Sequence, residues 1–465
     1  MKPYILDSTL REGELFKVLP HQQRIKMAEA LSEAGVRYIE ITLAYPPRTS
    51  LEETRELVRI LKENGSVAVV HARASKEDAD SVLSYETDSC AFYIAVSSLH
   101  RNYKLYGLSY EEAVERLKSA CEFARNHGFR YIRATLEDAS RLFLEEGKGS
   151  IETILSTIKE LRACGATIVS VPDTSGIMTT RIVRDFFSTL SADSSLPLAA
   201  HFHNDYGMAS SNTVEAALSG ATELHCTVMG IGDRNGIADM YEVCSVLEDL
   251  HQIDIGINRG SIKELYNKFT KIYRFPINWR HPLSPYARTI RAGVHQSMAL
   301  RKPEGYIPAK KLEYDFRAPI YSVSPFISHR IVETILSKYS ITLPAERTRQ
   351  IAEAIASHAT NQGRAANIVS RVIEEETGLK LNEEEITSLF GKERCYILLK
   401  LKPQLDVGEL FSFFSNFEDV ESVDEVYGDA DMIVQARVGP SSTLVKQIRE
   451  RFSPWILEMK VLVTD

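Results

Sequence analysis

Hydrophobic and polar positions follow two periods along the first 250 residues. Short apolar runs rich in β-branched residues, at 4–10, 38–43, 67–73, 91–96, 131–137, 168–174, 198–204 and 223–230, predict strands. Between them apolar positions recur at helical spacing, as over Gln22–Ala34, Leu51–Glu63, Tyr110–Asn126, Ile151–Ala163 and Arg181–Leu190. Strands alternating with helices pair in parallel through crossovers, and eight such units in about 250 residues have the size of a (β/α)8 barrel. A doubly wound open sheet is the competing architecture, but no Gly-rich turn follows the first strand. The barrel also explains where polar residues fall. Arg11/Glu12, Glu40/Thr42, His71/Arg73, Arg133/Thr135/Glu137, Asp173/Thr174, His201/His203 and Gly232/Asn235 all lie at or beyond the C-terminal half of a strand. That end of a barrel carries active sites. Many of these residues are two apart, which puts both members on one face.

Beyond residue 258 the pattern changes. Residues 259–345 read as irregular and rich in Tyr, Arg and Pro, as expected of a lid, and are too long for a structureless linker. Residues 346–391 read as helical, with Arg347–His358 and Ala366–Thr377 separated by Asn361-Gln362-Gly363. The last stretch, 392–465, shows the order βαββαβ: Arg394–Leu401, Val407–Asn416, Val420–Tyr427, Asp431–Val438, Leu444–Phe452 and Leu457–Val463. This is the order of a ferredoxin-like unit. The expected architecture is thus a (β/α)8 TIM barrel at 1–258, a lid at 259–345, a helical subdomain at 346–391 and a ferredoxin-like α+β domain at 392–465.

Composition narrows the class. With 465 residues and 44% hydrophobic content, the chain can bury a large core. No run approaches the roughly 18 apolar residues of a membrane span, and Met1-Lys2-Pro3-Tyr4 leads into a strand without an apolar signal segment, so a cytoplasmic protein is expected. Cysteines 90, 121, 164, 226, 244 and 395 form no Cys-x-x-Cys pair, which fits reduced thiols rather than a disulfide framework. A net charge of -8 argues against a nucleic-acid surface.

The chemistry is concentrated in His201-Phe202-His203-Asn204-Asp205. Two imidazoles two residues apart in an extended run point to one side and can grip one metal ion. A further ligand is expected from the charged cluster after the first strand, Asp7-Ser8-Thr9-Leu10-Arg11-Glu12-Gly13-Glu14. Two imidazoles and one carboxylate suit Zn, Mn, Mg or Co.

Three segments carry a resemblance. Leu6–Glu14, His201–Asp205 and Gly230-Ile231-Gly232-Asp233-Arg234-Asn235-Gly236-Ile237 resemble the signatures of the homocitrate synthase/isopropylmalate synthase family, metal-dependent barrel enzymes that condense acetyl-CoA with a 2-oxo acid. Further matches are Val70–Arg73, Arg133–Asp138, Asp173–Gly176 and Ala292-Gly293-Val294-His295. Glu12 after Arg11 is closest to homocitrate synthases. The resemblance implies Glu12, His201 and His203 as metal ligands and Arg11, Glu137, His295 and Tyr306 as catalytic residues. It implies Arg11, Glu40, His71, Arg133, Thr135 and Thr174 as substrate contacts, with Arg133 holding the distal carboxylate of 2-oxoglutarate. A guanidinium buried against an alkyl chain would be left unpaired, which favours a diacid. The implied activity is homocitrate formation, in lysine biosynthesis by the aminoadipate route. A homodimer is also implied, in which the segment carrying His295 and Tyr306 reaches over the partner's barrel. Lys302, Lys310, Lys311 and Arg317 form a basic patch suited to the phosphates of coenzyme A.

Three residues depart from the pattern. Leu15 stands where the family has glutamine, and Ala91 and Ala199 stand where lysine-sensitive homologues have the acids that contact the lysine ammonium. Feedback by lysine in the pocket is therefore expected to be weak or absent. The same changes keep other readings open: a synthase using oxaloacetate, pyruvate or 2-oxoisovalerate, a lyase or aldolase running the reverse cleavage, or a non-catalytic ligand-sensing homologue. Val426–Val434 resembles the Gly-x-x-Asp turn of Lrp/AsnC amino-acid-sensing domains, which implies an amino-acid effector or a pairing role for the last domain.

Overall fold

The computed structural model describes residues 2–46, 48–315, 318–359, 365–417, 419–438 and 443–463. The chain forms two compact units, Met1–Ile272 and Tyr273–Asp465.

The first unit is a closed parallel barrel. Its strands are β1 (Tyr4–Asp7), β2 (Tyr38–Thr42), β3 (Val67–Arg73), β4 (Ser89–Ala95), β5 (Tyr131–Glu137), β6 (Ile168–Ser170), β7 (Leu198–Ala200) and β8 (Glu223–Cys226), with β1 paired to β8. Helices connect them, and two start as their sequences dictate. Ser50 and Ser109 each accept from the backbone of Glu53 and Glu112, whose carboxylates return to the serine N–H groups. The helix Leu51–Glu63 buries Thr54, Leu57, Val58 and Leu61, a single stripe at helical spacing.

The inner faces of the strands interlock in register. Ala91 on β4 lies beside Arg133 on β5, Tyr93 beside Thr135 and Ala95 beside Glu137. Thr135 in turn lies beside Ser170 on β6, and Ala199 on β7 beside Glu223 on β8. At the N-terminal end three rings close the floor: Tyr38 lies 5.2 Å from Tyr4 and 5.5 Å from Tyr131, centroid to centroid. The register partners of the small residues Ala91 and Ala199 are Arg133 and Glu223, which carry long polar side chains.

The barrel unit takes in the helix Arg259–Tyr273 up to Ile272. It buries Ile262, Leu265, Tyr266, Phe269 and Tyr273, and the Tyr266 hydroxyl donates to Asp239 at 2.9 Å.

In the second unit, residues 273–345 are more regular than their composition suggests. They hold the helices Gly293–Arg301, Ala309–Tyr314 and His329–Lys338 and a short parallel pair, β9 (Thr289–Ile290) and β10 (Ile320–Tyr321). Their prolines and charges obscure short amphipathic repeats such as Ile331, Val332, Ile335 and Leu336, all buried. These residues share one apolar core with the helices Ala345–His358, Ala365–Thr377 and Glu383–Phe390. The Asn361-Gln362-Gly363 break and Arg317 lie outside the described residues.

The C-terminal sheet contains β11 (Glu393–Leu401), β12 (Val420–Glu425), β13 (Met432–Val438) and β14 (Ile456–Val463) in the antiparallel order β12-β13-β11-β14. The helices Val407–Ser415 and Leu444–Phe452 pack on one face around Ile397, Leu399, Leu410, Phe414 and Ile448. This is the ferredoxin-like α+β arrangement its pattern predicts.

Candidate active site

Glu12, His201 and His203 meet at the C-terminal mouth of the barrel. Each offers one ligand atom, and these atoms lie within 4.8 Å of one another. His201 Nε2 is 3.5 Å from His203 Nε2 and 3.9 Å from Glu12 Oε1. β7 ends at Ala200, yet the extended backbone continues. Phe202 bridges to Asp173 and His203 to Ile237, which keeps the two imidazoles on one side. All three groups are buried, and among the described residues His203 Nδ1 has no hydrogen-bond partner. Burial, then the neighbouring His203, His225 and Arg11, push the His201 pKa well below 6.5; burial also lowers that of His203. Neutral imidazoles beside a carboxylate are the donor set that a divalent cation requires.

Backbone contacts join the three signatures. Asn204 N–H donates to Gly236 O at 2.9 Å, and Asn235 Nδ2 donates to Asn204 O at 2.7 Å. Arg234 holds Asp205 through two nitrogens at 2.8 Å, and Asp233 N–H lies 3.4 Å from Glu12 Oε2. The turn depends on Gly236, at φ +80°, whose missing side chain lets the Gly230 carbonyl pass.

Below the mouth lies a second polar layer. Glu40 is fully buried and accepts from Ser8 Oγ and Arg11 Nε, each at 2.6 Å, and from Arg133 across the barrel. Burial alone would raise its pKa, but the Arg11 and Arg133 cations hold it well below 4.5. Arg11 also donates to Glu12 at 2.6 Å. His71 stacks on Tyr93 with centroids 4.8 Å apart, and burial keeps its pKa well below 6.5. Arg133, 1% exposed, also meets Glu223 Oε1 at 3.3 Å and His225 Nε2 at 3.0 Å. The guanidinium is therefore already paired with two carboxylates of the protein, and the expectation that it needs a substrate carboxylate to avoid being unpaired does not hold. Its Nε, the Thr135 hydroxyl and the Ser170 hydroxyl have no partner among the described residues.

Sequence reading passed over Glu223 and His225. Glu223 accepts from Tyr4 at 2.8 Å, Tyr131 at 2.7 Å and His225 at 2.8 Å. The signal was present: Glu223-Leu224-His225 repeats the spacing of the His201–His203 pair, at the start of a run read only as an apolar strand.

Glu137 and Thr174 sit together on the β5–β6 side. Glu137 Oε1 accepts from Lys104 Nζ at 2.5 Å, while its buried Oε2 has no partner among the described residues. Thr174 Oγ1 accepts from the Asp138 N–H at 3.0 Å. Asp138 adopts a left-handed conformation, φ 63°, fixed by Ser97 at 2.6 Å and Arg141 at 2.8 Å. His295 and Tyr306 belong to the second unit, where they stack on each other at 4.5 Å and are exposed.

Fold and site together define a (β/α)8 barrel whose mouth carries two histidines and a carboxylate competent to hold a metal. The HMGL-like family model matches residues 2–268, and the chain belongs to that family. The homocitrate synthase of Saccharolobus islandicus is 28% identical over 458 residues, spanning 96% of this chain and 94% of its own. That of Sulfurisphaera tokodaii is 28% identical over 446 residues, spanning 94% and 93%. Among solved structures, the HMG-CoA lyase of Bacillus subtilis superposes with a TM-score of 0.51 at 21% identity, over 60% of this chain and 96% of its own. That likeness shows the barrel fold. Among the described residues no helix is long and apolar enough to cross a membrane.

Proposed function

We propose that this chain is a divalent-metal-dependent enzyme that condenses acetyl-CoA with a 2-oxo acid, 2-oxoglutarate giving homocitrate, and releases coenzyme A by thioester hydrolysis. The observation that carries the reading is the convergence of Glu12, His201 and His203 beside Arg11 at the barrel mouth. A bound cation would supply Lewis-acid polarisation of the oxo acid.

The protein's own groups do the rest. Glu137, held through Oε1 by Lys104, presents Oε2 as the acceptor for a methyl proton of the acetyl group. The resulting carbon nucleophile attacks C2 of the oxo acid, and Arg11 stabilises the alkoxide that forms there. Proton return to that alkoxide and attack of water on the thioester then release the thiol, with His295 and Tyr306 as acid and base. Thr174 and the unpartnered groups of Arg133, Thr135 and Ser170 bind substrate carboxylates, with Glu40 and His71 shaping the wall. The homocitrate synthase relatives, matched over nearly the whole chain, support 2-oxoglutarate. The same reading includes a homodimer in which His295 and Tyr306 serve the partner's barrel, a lid role for their segment, and an amino-acid-sensing or pairing role for 392–465.

A second reading has one specific observation in its favour. Because Glu40 and Glu223 already neutralise Arg133, a shorter or apolar oxo acid is compatible with the pocket. Thiol release from acetyl-CoA, assayed with the metal-loaded protein against 2-oxoglutarate, oxaloacetate, pyruvate and 2-oxoisovalerate, decides between them. Turnover led by 2-oxoglutarate supports the first reading, turnover led by another acid the second, and no release with any of them overturns both in favour of a non-catalytic role.

A further inference from the structure

Glu223 and His225 on β8 form a line of contacts that ends on a metal-site imidazole. Glu223 Oε1 lies 2.8 Å from His225 Nε2, and His225 Nδ1 lies 3.3 Å from His201 Nδ1. The far nitrogen of His201, Nε2, is the one that faces Glu12 and His203. We propose that Glu223 and His225 are positioning residues for metal binding, holding His201 in the tautomer whose Nε2 carries a lone pair. The inference rests on the metal-site reading above.

The reason lies in counting hydrogens. A neutral imidazole has one N–H and one lone pair. To ligate through Nε2, His201 must keep its hydrogen on Nδ1, and the neighbour of that nitrogen is His225 Nδ1. His225 can accept there only if its own hydrogen is on Nε2, and that N–H points at Glu223. An ionised carboxylate has no hydrogen to give, so it forces the whole line into this polarity. The opposite polarity would put a hydrogen on His201 Nε2, aimed at His203 Nε2 3.5 Å away, and close the site to a cation.

Two features secure the choice. Tyr4 and Tyr131 both donate to Glu223 Oε2, so the carboxylate cannot turn away from His225. Arg133 Nη1 also approaches His225 Nε2, at 3.0 Å, and would favour the wrong tautomer, but Glu223 Oε1 offers it a charged acceptor at 3.3 Å. Glu223, His225 and His201 are 0%, 2% and 6% exposed, so water does not substitute for a lost member.

The test is cobalt(II) titration of the full chain, followed by visible absorption and chelator competition, for wild type, His225→Phe, His225→Asn and His203→Ala. Phenylalanine keeps ring volume but removes both nitrogens; asparagine restores an acceptor. His225→Phe is expected to weaken cobalt binding by about 10–100-fold and alter the visible band, with much of the loss recovered in His225→Asn. Should His225→Phe fail to fold, Glu223→Gln, which can turn its amide toward His225, is expected to show the weakened binding instead. A folded His225→Phe, or in its place Glu223→Gln, with wild-type affinity and band while His203→Ala loses cobalt overturns the relay. Unchanged binding in His203→Ala overturns the metal-site reading itself, and the relay with it.

Discussion

Glu223 stands in register with Ala199 on the neighbouring strand, so a carboxylate is present one strand away from a position where the family resemblance implies the acid of lysine-sensitive homologues. It is not available to an ammonium group. His225 and Arg133 engage Oε1, and Tyr4 and Tyr131 engage Oε2. Millimolar lysine is therefore expected to leave the KM for the oxo acid unchanged. Initial rates over a grid of lysine and oxo acid concentrations check this; a competitive pattern would show that an ammonium displaces those donors.

The proposed metal ligands give a sharper expectation. His203→Ala and Glu12→Ala should each abolish tight divalent-metal binding while leaving the fold intact, because the barrel strands do not depend on either side chain. Loss of Lewis-acid polarisation should lower thiol release by about a hundredfold or more. Metal content by elemental analysis, beside circular dichroism, separates this from unfolding. Chelation of the wild type should produce the same inactive state, reversed by added metal.

Glu40 is a structural anion as well as a candidate substrate neighbour. Glu40→Gln leaves Arg11 and Arg133 short of a buried counter-charge and should cost about 3–5 kcal/mol in denaturant unfolding. Its pH dependence has a definite sign. The carboxyl pKa is depressed in the folded chain, so its contribution is present above the unfolded value near 4.5 and is lost as pH falls through the lower folded value. Wild type should lose stability as pH falls from about 4.5 toward the lower folded value, and the variant less so. Parallel slopes for the two proteins would mean that the Glu40 pairing is not what acid disrupts.

Gly236→Ala should disable the site without touching a ligand. A methyl group there meets the Gly230 carbonyl at a backbone φ of +80°. The Gly230–Ile237 loop must then shift, and with it the support for His203 and Asn204. Reduced metal affinity with unchanged far-UV circular dichroism is the expected result; wild-type affinity would show that the loop is dispensable for the ligands.

The barrel was legible because its signals are local. Strand runs such as Tyr131–Glu137 and helices such as Leu51–Glu63 and Tyr110–Asn126 coincide with their patterns. The convergence of the candidate metal group was legible because two of its members are two residues apart. What escaped was set by partners distant in sequence. Arg133 read as a cation awaiting a substrate because nothing nearby in the chain announces Glu40 or Glu223, 93 and 90 residues away. The segment after 258 read as irregular because the helices Gly293–Arg301, Ala309–Tyr314 and His329–Lys338 are short and separated by proline-containing stretches, although the Ile262, Leu265, Tyr266 and Phe269 stripe was there to find.

The pairing of β1 with β8 also sets when function can begin during synthesis. Glu12 follows β1, which is synthesised before the other barrel strands, whereas the loop that braces it and His203 is among the last parts of the barrel to be made. A nascent chain carries both histidines well before that loop can dock. Capture of the proposed metal is therefore expected to report ring closure, with a chain halted before residue 237 holding the candidate ligands but not the loop that braces them.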